Sequence, residues 1–532
     1  MAFTSFRFVV FLALSAALYF LTPKRCRWVT LFVVNYVFYF LAGGRYFVYL
    51  LATTLTTYLA AVMLGNMASK NKTAFAEAKA GLDKEGRKAW KAAFARKKRF
   101  VLVPALLLNF GILSILKYSG FVCNNLNALF ARLGVGGELP IFRFLLPLGI
   151  SFYTFQSMGY LIDVYREKVE PERNLAKLAL FISFFPQIVQ GPIGRFNTLA
   201  EQLFRPNEFS YTRVKFGVQL MLWGAFKKMV IADRVAVMVD NIFGFPETLG
   251  GCYVAVAALG YCIQIYGDFS GGIDIATGAA QIFGITLDKN FERPYLATSI
   301  PDFWRRWHIT LGAWFRDYVF YPLSLSKFFQ KLGKAGRRVF GNYIGKLLPV
   351  LIPQFIIFFL IGIWHGAEWK YIAFGVYNGT LIVLGILFEQ PLKNLAKRLG
   401  IRMECFSWRV FQVLRTLVLV ALGKIITRAP GVSASVYMIR SMVENWDTNI
   451  FWEGGMLKLG LDEKDLWILF LSCCALLTVS LLQESGVKIR ETLVKQNLYF
   501  RWAVYLGAVF SLVLFGVYGL NYDASDFIYR GF

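Results

Sequence analysis

The residues of this 532-residue chain that stand out chemically are its two histidines. His308 lies in a segment rich in tryptophan and arginine, and His365 follows a long apolar run in I-W-H-G-A-E-W. Histidine takes and returns protons near neutrality because its ordinary pKa is about 6.5. Two histidines beside tryptophans in apolar surroundings therefore predict one chemical site. The alternative is that each is a hydrogen-bonded core residue, which is common for a histidine at a helix end.

Helices are expected to position both histidines. Ser299 and Asp302 have capping-box spacing, so a helix is predicted to begin there. A continuous helix from that point carries on one face Trp304, His308, Leu311 and Phe315. A second apolar helix, over residues 347–364, is predicted to deliver His365 at its far end.

The composition indicates an all-α polytopic membrane protein. Hydrophobic residues make up 57% of the chain and the mean hydropathy is +0.51. Apolar segments of roughly 20 residues, each long enough to cross about 30 Å of hydrocarbon, recur throughout. We expect roughly 11–13 transmembrane helices, including segments at 6–21, 142–162 and 214–239, with re-entrant and interfacial helices around a central tunnel.

Residues 1–532 are predicted to form a single integral membrane domain with three parts. These are N-terminal spans (1–140), a core (141–390), and C-terminal spans with an outer-face tail (391–532). The basic segment 68–100 is expected to be an amphipathic helix on the inner leaflet; a solvated basic loop is the alternative.

The net charge of +26 lies mainly in short segments between apolar runs, which is the pattern of cytoplasmic loops. No soluble basic module accompanies this charge, so nucleic-acid binding is not expected. The seven cysteines contain no C-x-x-C pair, and two histidines alone rarely make a metal site. We therefore predict no metal and no bound cofactor.

Polar residues inside apolar segments mark further candidate positions. Asp268 and Asp274 lie in a small-residue stretch, where they either line a cavity or pair with arginines such as Arg305 or Arg306. Gln190 belongs to the run L-F-I-S-F-F-P-Q-I-V-Q-G-P-I-G-R. Its prolines and glycines predict a re-entrant element inside protein, with a kinked helix end as the alternative.

Three motifs of the chain are Y-G-D-F-S-G-G-I-D-I-A, N-F-E-R-P-Y-L-A-T-S-I-P-D-F-W-R-R-W-H-I-T-L and I-W-H-G-A-E-W. Together they resemble the membrane-bound O-acyltransferase family, in particular its bacterial alginate O-acetyltransferase and teichoic-acid D-alanyltransferase branch. The resemblance implies acyl transfer from a thioester to a hydroxyl, with His365 as the catalytic histidine and His308 as the second. It also implies a tunnel or donor site, for which the candidates are Trp304, Arg305, Arg306, Trp307, Trp364, Asp268, Asp274 and Gln190.

The resemblance further implies an acetyl donor such as acetyl-CoA, an acceptor glycan of the cell envelope and an extracytoplasmic esterase-like partner of the SGNH type, in a bacterial plasma membrane. Tyr529 in the C-terminal tail is a candidate acyl carrier; an aromatic anchor at the membrane interface is the alternative. D-alanyl transfer from a carrier protein is a second possible reaction. Transport or lipid flipping without acyl chemistry is a third possible function.

Overall fold

The computed structural model describes residues 2–134, 136–142, 144–247, 249–452 and 454–518. Their regular structure is helical. The helices of the first half are α1 (Phe6–Leu21), α2 (Arg27–Gly43), α3 (Phe47–Ala78), α4 (Lys84–Leu133), α5 (Ile150–Tyr165), α6 (Leu175–Ser183), α7 (Phe185–Ile188), α8 (Phe196–Phe204), α9 (Tyr211–Ala225), α10 (Asp233–Gly244) and α11 (Gly251–Ile282). Those of the second half are α12 (Ile300–Arg306), α13 (Ile309–Phe315), α14 (Tyr321–Ser324), α15 (Lys327–His365), α16 (Trp369–Arg398), α17 (Phe406–Arg428), α18 (Val432–Glu444), α19 (Asn449–Trp452), α20 (Glu463–Glu484), α21 (Ile489–Val494) and α22 (Leu498–Phe515).

These helices group into two compact units. Unit 1 contains the chain up to Gly217 together with Ala276–Asp288, and unit 2 contains Val218–Ile275 and the described residues from Lys289 onward. Within unit 1, the apolar run that was predicted to be re-entrant is broken between α6 and α7, and all of α7 and α6 from Leu178 onward are buried. Within unit 2, a π-helical segment, Phe226–Ala232, lies between α9 and α10.

Nine helices in the described ranges are long and apolar enough to cross a membrane, by length and composition. The sequence-based number was higher because it included three segments that fold as shorter or interrupted helices. α1 has 16 residues, the segment 142–162 becomes helical only at Ile150, and the segment 214–239 is divided by the π-helical turn. The polytopic all-α fold is confirmed.

The basic segment 68–100 is helical on both sides of a short turn, as the helical interpretation predicted, and is not a loop. It continues α3 and α4 into a helical hairpin, and Asp83 caps the second arm by accepting a hydrogen bond from the Gly86 amide. Trp90 Nε1 donates to Asn71 Oδ1 across the hairpin at 2.9 Å. At 1.5 Å per residue, the 32 residues of α3 extend to about 48 Å, which exceeds the hydrocarbon thickness.

Candidate functional site

His308 does not lie within a helix, so the prediction of one continuous helix through it is wrong. The capping box is present, since Ser299 Oγ accepts from the Asp302 amide at 3.2 Å, but α12 ends at Arg306. Trp307 is extended and pairs with Phe291 in an isolated antiparallel bridge. His308 then adopts a left-handed conformation with φ 46° before α13 begins.

Asn290 holds this irregular turn and fixes the tautomer of His308. Asn290 Oδ1 accepts the backbone N–H and the hydroxyl of Thr310, at 3.1 and 2.8 Å, which identifies that atom as the oxygen. The same oxygen lies 3.1 Å from His308 Nδ1. Because a carboxamide oxygen only accepts, Nδ1 carries the proton. Burial lowers the pKa of His308 well below its ordinary value, so Nε2 is the basic nitrogen of a neutral ring.

His365 is the last residue of α15, as the sequence predicted. This helix consists of two arms, because Gly341 has φ 80° and reverses the chain; in the second arm Gly345 packs against Arg337 of the first. Gly366 follows His365, and a Cβ at this position would lie only 2.2 Å from the Tyr371 ring. The end of α15 therefore packs closely against the first residues of α16.

Trp364 stands between the two histidines. Its ring centroid is 5.8 Å from that of His308 and 5.1 Å from that of His365. All three side chains are buried, with 2% exposure for His308 and 7% for His365. Phe269 packs on the edge of His308 and Phe374 on that of His365. The structure thus brings both predicted histidines and Trp364 into one buried aromatic cluster.

The remaining predicted tryptophans border this cluster. Trp307 is 1% exposed and follows the α12 helix directly. Trp304 donates from Nε1 to Asn378 Oδ1 at 3.2 Å and packs on Phe358 in α15. Lys424 of α17 places Nζ 4.6 Å from the centroid of the Trp307 ring.

Arg305 and Arg306 do not pair with Asp268 or Asp274, which contradicts one of the two sequence interpretations. Both arginines face Asp302, one turn back on their own helix. Arg306 also contacts Glu484, at the end of α20, at 3.1 Å. Burial alone would lower the pKa of Arg306, but the neighbouring carboxylates of Asp302 and Glu484 outweigh it and raise that pKa.

The two aspartates pair instead with lysines of the π-helical segment. Lys227 Nζ lies 2.8 Å from Asp274 and 2.7 Å from Ser270 Oγ. Lys228 Nζ lies 2.6 Å from Asp268 and 2.8 Å from Asp233. Burial of an ion pair is tolerated only with close compensation, and this network supplies it.

Two predicted positions are described separately from the cluster. Gln190 belongs to unit 1, where it is buried and neither its amide nitrogen nor its oxygen has a hydrogen-bond partner in the described chain. Tyr529 lies outside the described residues. Within the described ranges, no group of three or more His, Cys, Asp and Glu side chains is arranged to hold a metal ion.

Sequence reasoning missed Asn290 and Lys424. Asn290 opens the N-F-E-R-P-Y motif, but an asparagine in a loop carries no signal of what it will bind. Lys424 did carry one, because it is a lone lysine inside an apolar helix, where an ionisable residue is costly and marks function by default.

A sequence profile described as MBOAT, membrane-bound O-acyltransferase family, matches residues 166–335. The chain is 32% identical over 446 residues to the probable alginate O-acetylase AlgI of Azotobacter vinelandii, covering 83% of this chain and 78% of that protein. It is 30% identical over 375 residues to a peptidoglycan O-acetyltransferase of Helicobacter pylori, covering 65% of each. It is 30% identical over 254 residues to the teichoic acid D-alanyltransferase of Bacillus subtilis, covering 46% of this chain and 60% of that protein. Together with the helical membrane fold, these similarities show that the chain belongs to the membrane-bound O-acyltransferase family and is an O-acyltransferase.

Proposed function

We propose that this protein takes an acetyl group from acetyl-CoA and passes it across a bacterial plasma membrane to hydroxyl groups of a cell-envelope polysaccharide. The observation that carries the proposal is the pair of buried histidines on either side of Trp364. The alginate O-acetylase similarity supports the acetyl group, since it covers 83% of this chain against 46% for the D-alanyltransferase.

In the proposed reaction, His365 acts as general base. It removes the proton of the acceptor hydroxyl while the hydroxyl oxygen attacks the thioester carbonyl carbon, and the carbonyl oxygen becomes an oxyanion. When the carbonyl re-forms, the carbon–sulfur bond breaks and the leaving thiolate takes the proton from His365. Base and acid are thus one group, and no proton is left on the enzyme at the end of a cycle.

The other site residues are assigned to positioning. His308, a neutral ring with Nε2 as its basic nitrogen, is assigned to orienting the donor. Water would compete with the hydroxyl as an acceptor of the acyl group. The three tryptophans are assigned to excluding it from the thioester: Trp304, Trp307 and Trp364. Arg305, whose side chain is 72% exposed, is the candidate contact for the phosphates of the donor. Gln190, Asp268 and Asp274 stay candidates for the wall of a tunnel.

An extracytoplasmic esterase-like partner is proposed to complete transfer to the glycan. A membrane-embedded enzyme has to hand the acyl group to a polymer outside the hydrocarbon, and a soluble partner with its own nucleophile provides that step. Thioester-bound acyl groups are made in the cytosol, so the donor enters from the inner face.

The test is release of CoA thiol from acetyl-CoA by the purified protein and its His365→Ala variant. We expect a loss of about 10² to 10⁴ in kcat, the usual contribution of a general base. His365→Gln serves as the matched variant, because it retains a polar side chain at the end of α15 but has no basic nitrogen. Equal rates for the three proteins would exclude His365 as the base.

The same preparation distinguishes the alternative donor. Purified protein is supplied with D-alanine bound as a thioester to a carrier protein in place of acetyl-CoA. Transfer from the carrier and none from acetyl-CoA would replace acetylation with D-alanylation. Movement of a substrate across the membrane, without release of thiol from either donor, would indicate transport.

A further inference from the structure

Lys424 is a buried cation beside the candidate site. It lies in α17 and is 4% exposed. Its Nζ lies 4.6 Å from the centroid of Trp307, the residue before His308, and 5.6 Å from that of Phe374. Phe374 in turn packs on His365 at 5.7 Å. By these two distances, the ammonium is no more than about 11 Å from the His365 ring.

Lys424 differs from the other buried lysines of the described chain. Lys98 pairs with Glu167, and Lys227 and Lys228 pair with aspartates. For Lys424, no carboxylate oxygen of the described residues lies within 4 Å of Nζ. Its charge is therefore not neutralised by a neighbouring acid.

The aromatic faces offset part of the free-energy cost of burying the Lys424 ammonium. A cation over a ring gains about 0.5 to 2 kcal/mol, whereas taking an isolated ammonium out of water costs more than that. The rings stabilise the cation but do not neutralise its charge, so its positive potential extends to the neighbouring histidine cluster. Such fixed charges assist catalysis where negative charge develops in the transition state.

We propose that Lys424 is a charge-stabilising positioning residue of the acyl-transfer site, whose buried ammonium favours the oxyanion formed when the acceptor hydroxyl attacks the thioester. The inference rests on the proposed function, because it places that oxyanion beside His365. Lys424 takes no proton and forms no bond in the reaction. The effect is electrostatic and acts across the Trp307 and Phe374 rings.

The size of the effect follows from distance. Two unit charges about 11 Å apart in protein, at an effective dielectric constant of about 20, interact strongly enough to change a rate by about tenfold. We expect Lys424→Met, which keeps the length and apolar stem of the side chain, to lower kcat for thiol release from acetyl-CoA by about tenfold. The KM for acetyl-CoA is expected to change by less than about threefold, because the oxyanion exists only after attack.

Lys424→Arg is the rescue variant. It retains the positive charge over the rings, so kcat is expected to stay within about threefold of the original value. Lys98→Met is the matched control, because it also removes a buried lysine but in unit 1, and is expected to lower thermal stability without a selective loss of kcat.

Two results would overturn the inference. One is an unchanged kcat in Lys424→Met. The other is an equal loss of kcat in Lys424→Met and Lys424→Arg with a matching fall in thermal stability, which indicates packing. The His365→Ala measurement shows separately whether the proposed function fails. A full rate of thiol release in His365→Ala would exclude His365 as the base. The two Lys424 variants would still be compared with the unmodified protein.

Discussion

The left-handed conformation of His308 is the most unusual backbone feature near the site. A residue with a side chain adopts it at a cost of about 1 to 3 kcal/mol, and such residues cluster at active sites. Here the cost is offset locally, because Asn290 Oδ1 holds His308 Nδ1 and both donors of Thr310, and the Ile309 amide donates to Asn290 O at 3.0 Å. The turn and the ring orientation therefore have a common support.

Removing that support is expected to impair both stability and catalysis. Asn290→Ala leaves the His308 Nδ1–H and the Thr310 N–H without their buried acceptor, at about 1 to 3 kcal/mol for each unsatisfied group. We expect a lower thermal unfolding midpoint and a fall in kcat of at least tenfold. Asn109→Ala is the control, since Asn109 is equally buried but bonds Thr56 and Ala105 in unit 1. A full kcat in Asn290→Ala would contradict the orienting role.

Gly366 sets the position of His365. Its φ of −179° is ordinary extended backbone, so any intolerance of a side chain arises from the contact with Tyr371 alone. We expect Gly366→Ala to displace the end of α15 and to lower kcat by more than tenfold, because small misplacements of a base are costly. Gly385→Ala in α16, where a Cβ meets nothing within 4 Å, should leave activity intact. Equal activity of the two variants would show that the junction is permissive.

At the scale of elements, the π-helical segment Phe226–Ala232 is the most informative. Such segments widen a helix locally and are often found at functional sites. Here the segment turns Lys227 and Lys228 into the interior, each toward a carboxylate of α11. Asp268 directly precedes Phe269, the ring on the edge of His308. The charged network thus lies next to the candidate site and supports it.

The two lysines are expected to differ in their contribution to stability. Lys228→Met leaves Asp268, which is 1% exposed, charged and buried, and breaking a buried pair in this way costs about 3 to 5 kcal/mol. Lys227→Met leaves Asp274, whose side chain is 24% exposed and can be hydrated. Thermal unfolding in detergent should therefore show the larger loss for Lys228→Met. A larger loss of thermal stability in Lys227→Met would show that burial of the aspartate does not determine how much each ion pair contributes.

The elements also show what a sequence can and cannot predict. Hydropathy predicted most of the long apolar helices and the delivery of His365, because a long apolar run satisfies its backbone groups in a membrane by forming a helix. It did not predict the turn at His308, since that turn depends on Asn290, 18 residues earlier in the chain. Of the two interpretations of Asp268 and Asp274, pairing with Arg305 or Arg306 was wrong. The π-helical turn that points Lys227 and Lys228 inward is not visible in periodicity, whereas Arg305 and Arg306 were simply nearer in the sequence.

At the scale of the whole molecule, the last two spans are held mainly at their ends. The apolar window of α20 is only 6% buried and that of α22 is not buried at all. At one end of α20, Asp465 accepts from Arg234; at the other, Glu484 accepts from Arg293 and Arg306. The 19 helical rises from Asp465 to Glu484 extend to about 28 Å, close to the hydrocarbon thickness. Both spans therefore present their sides to lipid.

The acyl-carrier role of Tyr529 stays a prediction, and it can be tested in the membrane-embedded protein. Tyr529→Phe removes the phenol oxygen, which is the atom of this side chain that can carry an acyl group. It keeps the ring that an interfacial anchor requires. We expect export of acetylated polymer to be lost, because the acyl group then has no phenol oxygen to carry it to the partner. Tyr522→Phe in the same tail is the control. Normal export in Tyr529→Phe would leave the anchor interpretation.

The carboxyl-terminal span and the buried lysines share one attachment point. The Val517 amide donates to Met229 O at 2.9 Å, and Arg234 donates to Phe515 O at 2.9 Å. Met229 is the residue after Lys228, whose partner Asp268 adjoins the phenyl ring that touches His308. A force applied to the chain at Val517 would therefore act on a segment that is connected, through Lys228 and Asp268, to the ring that contacts His308.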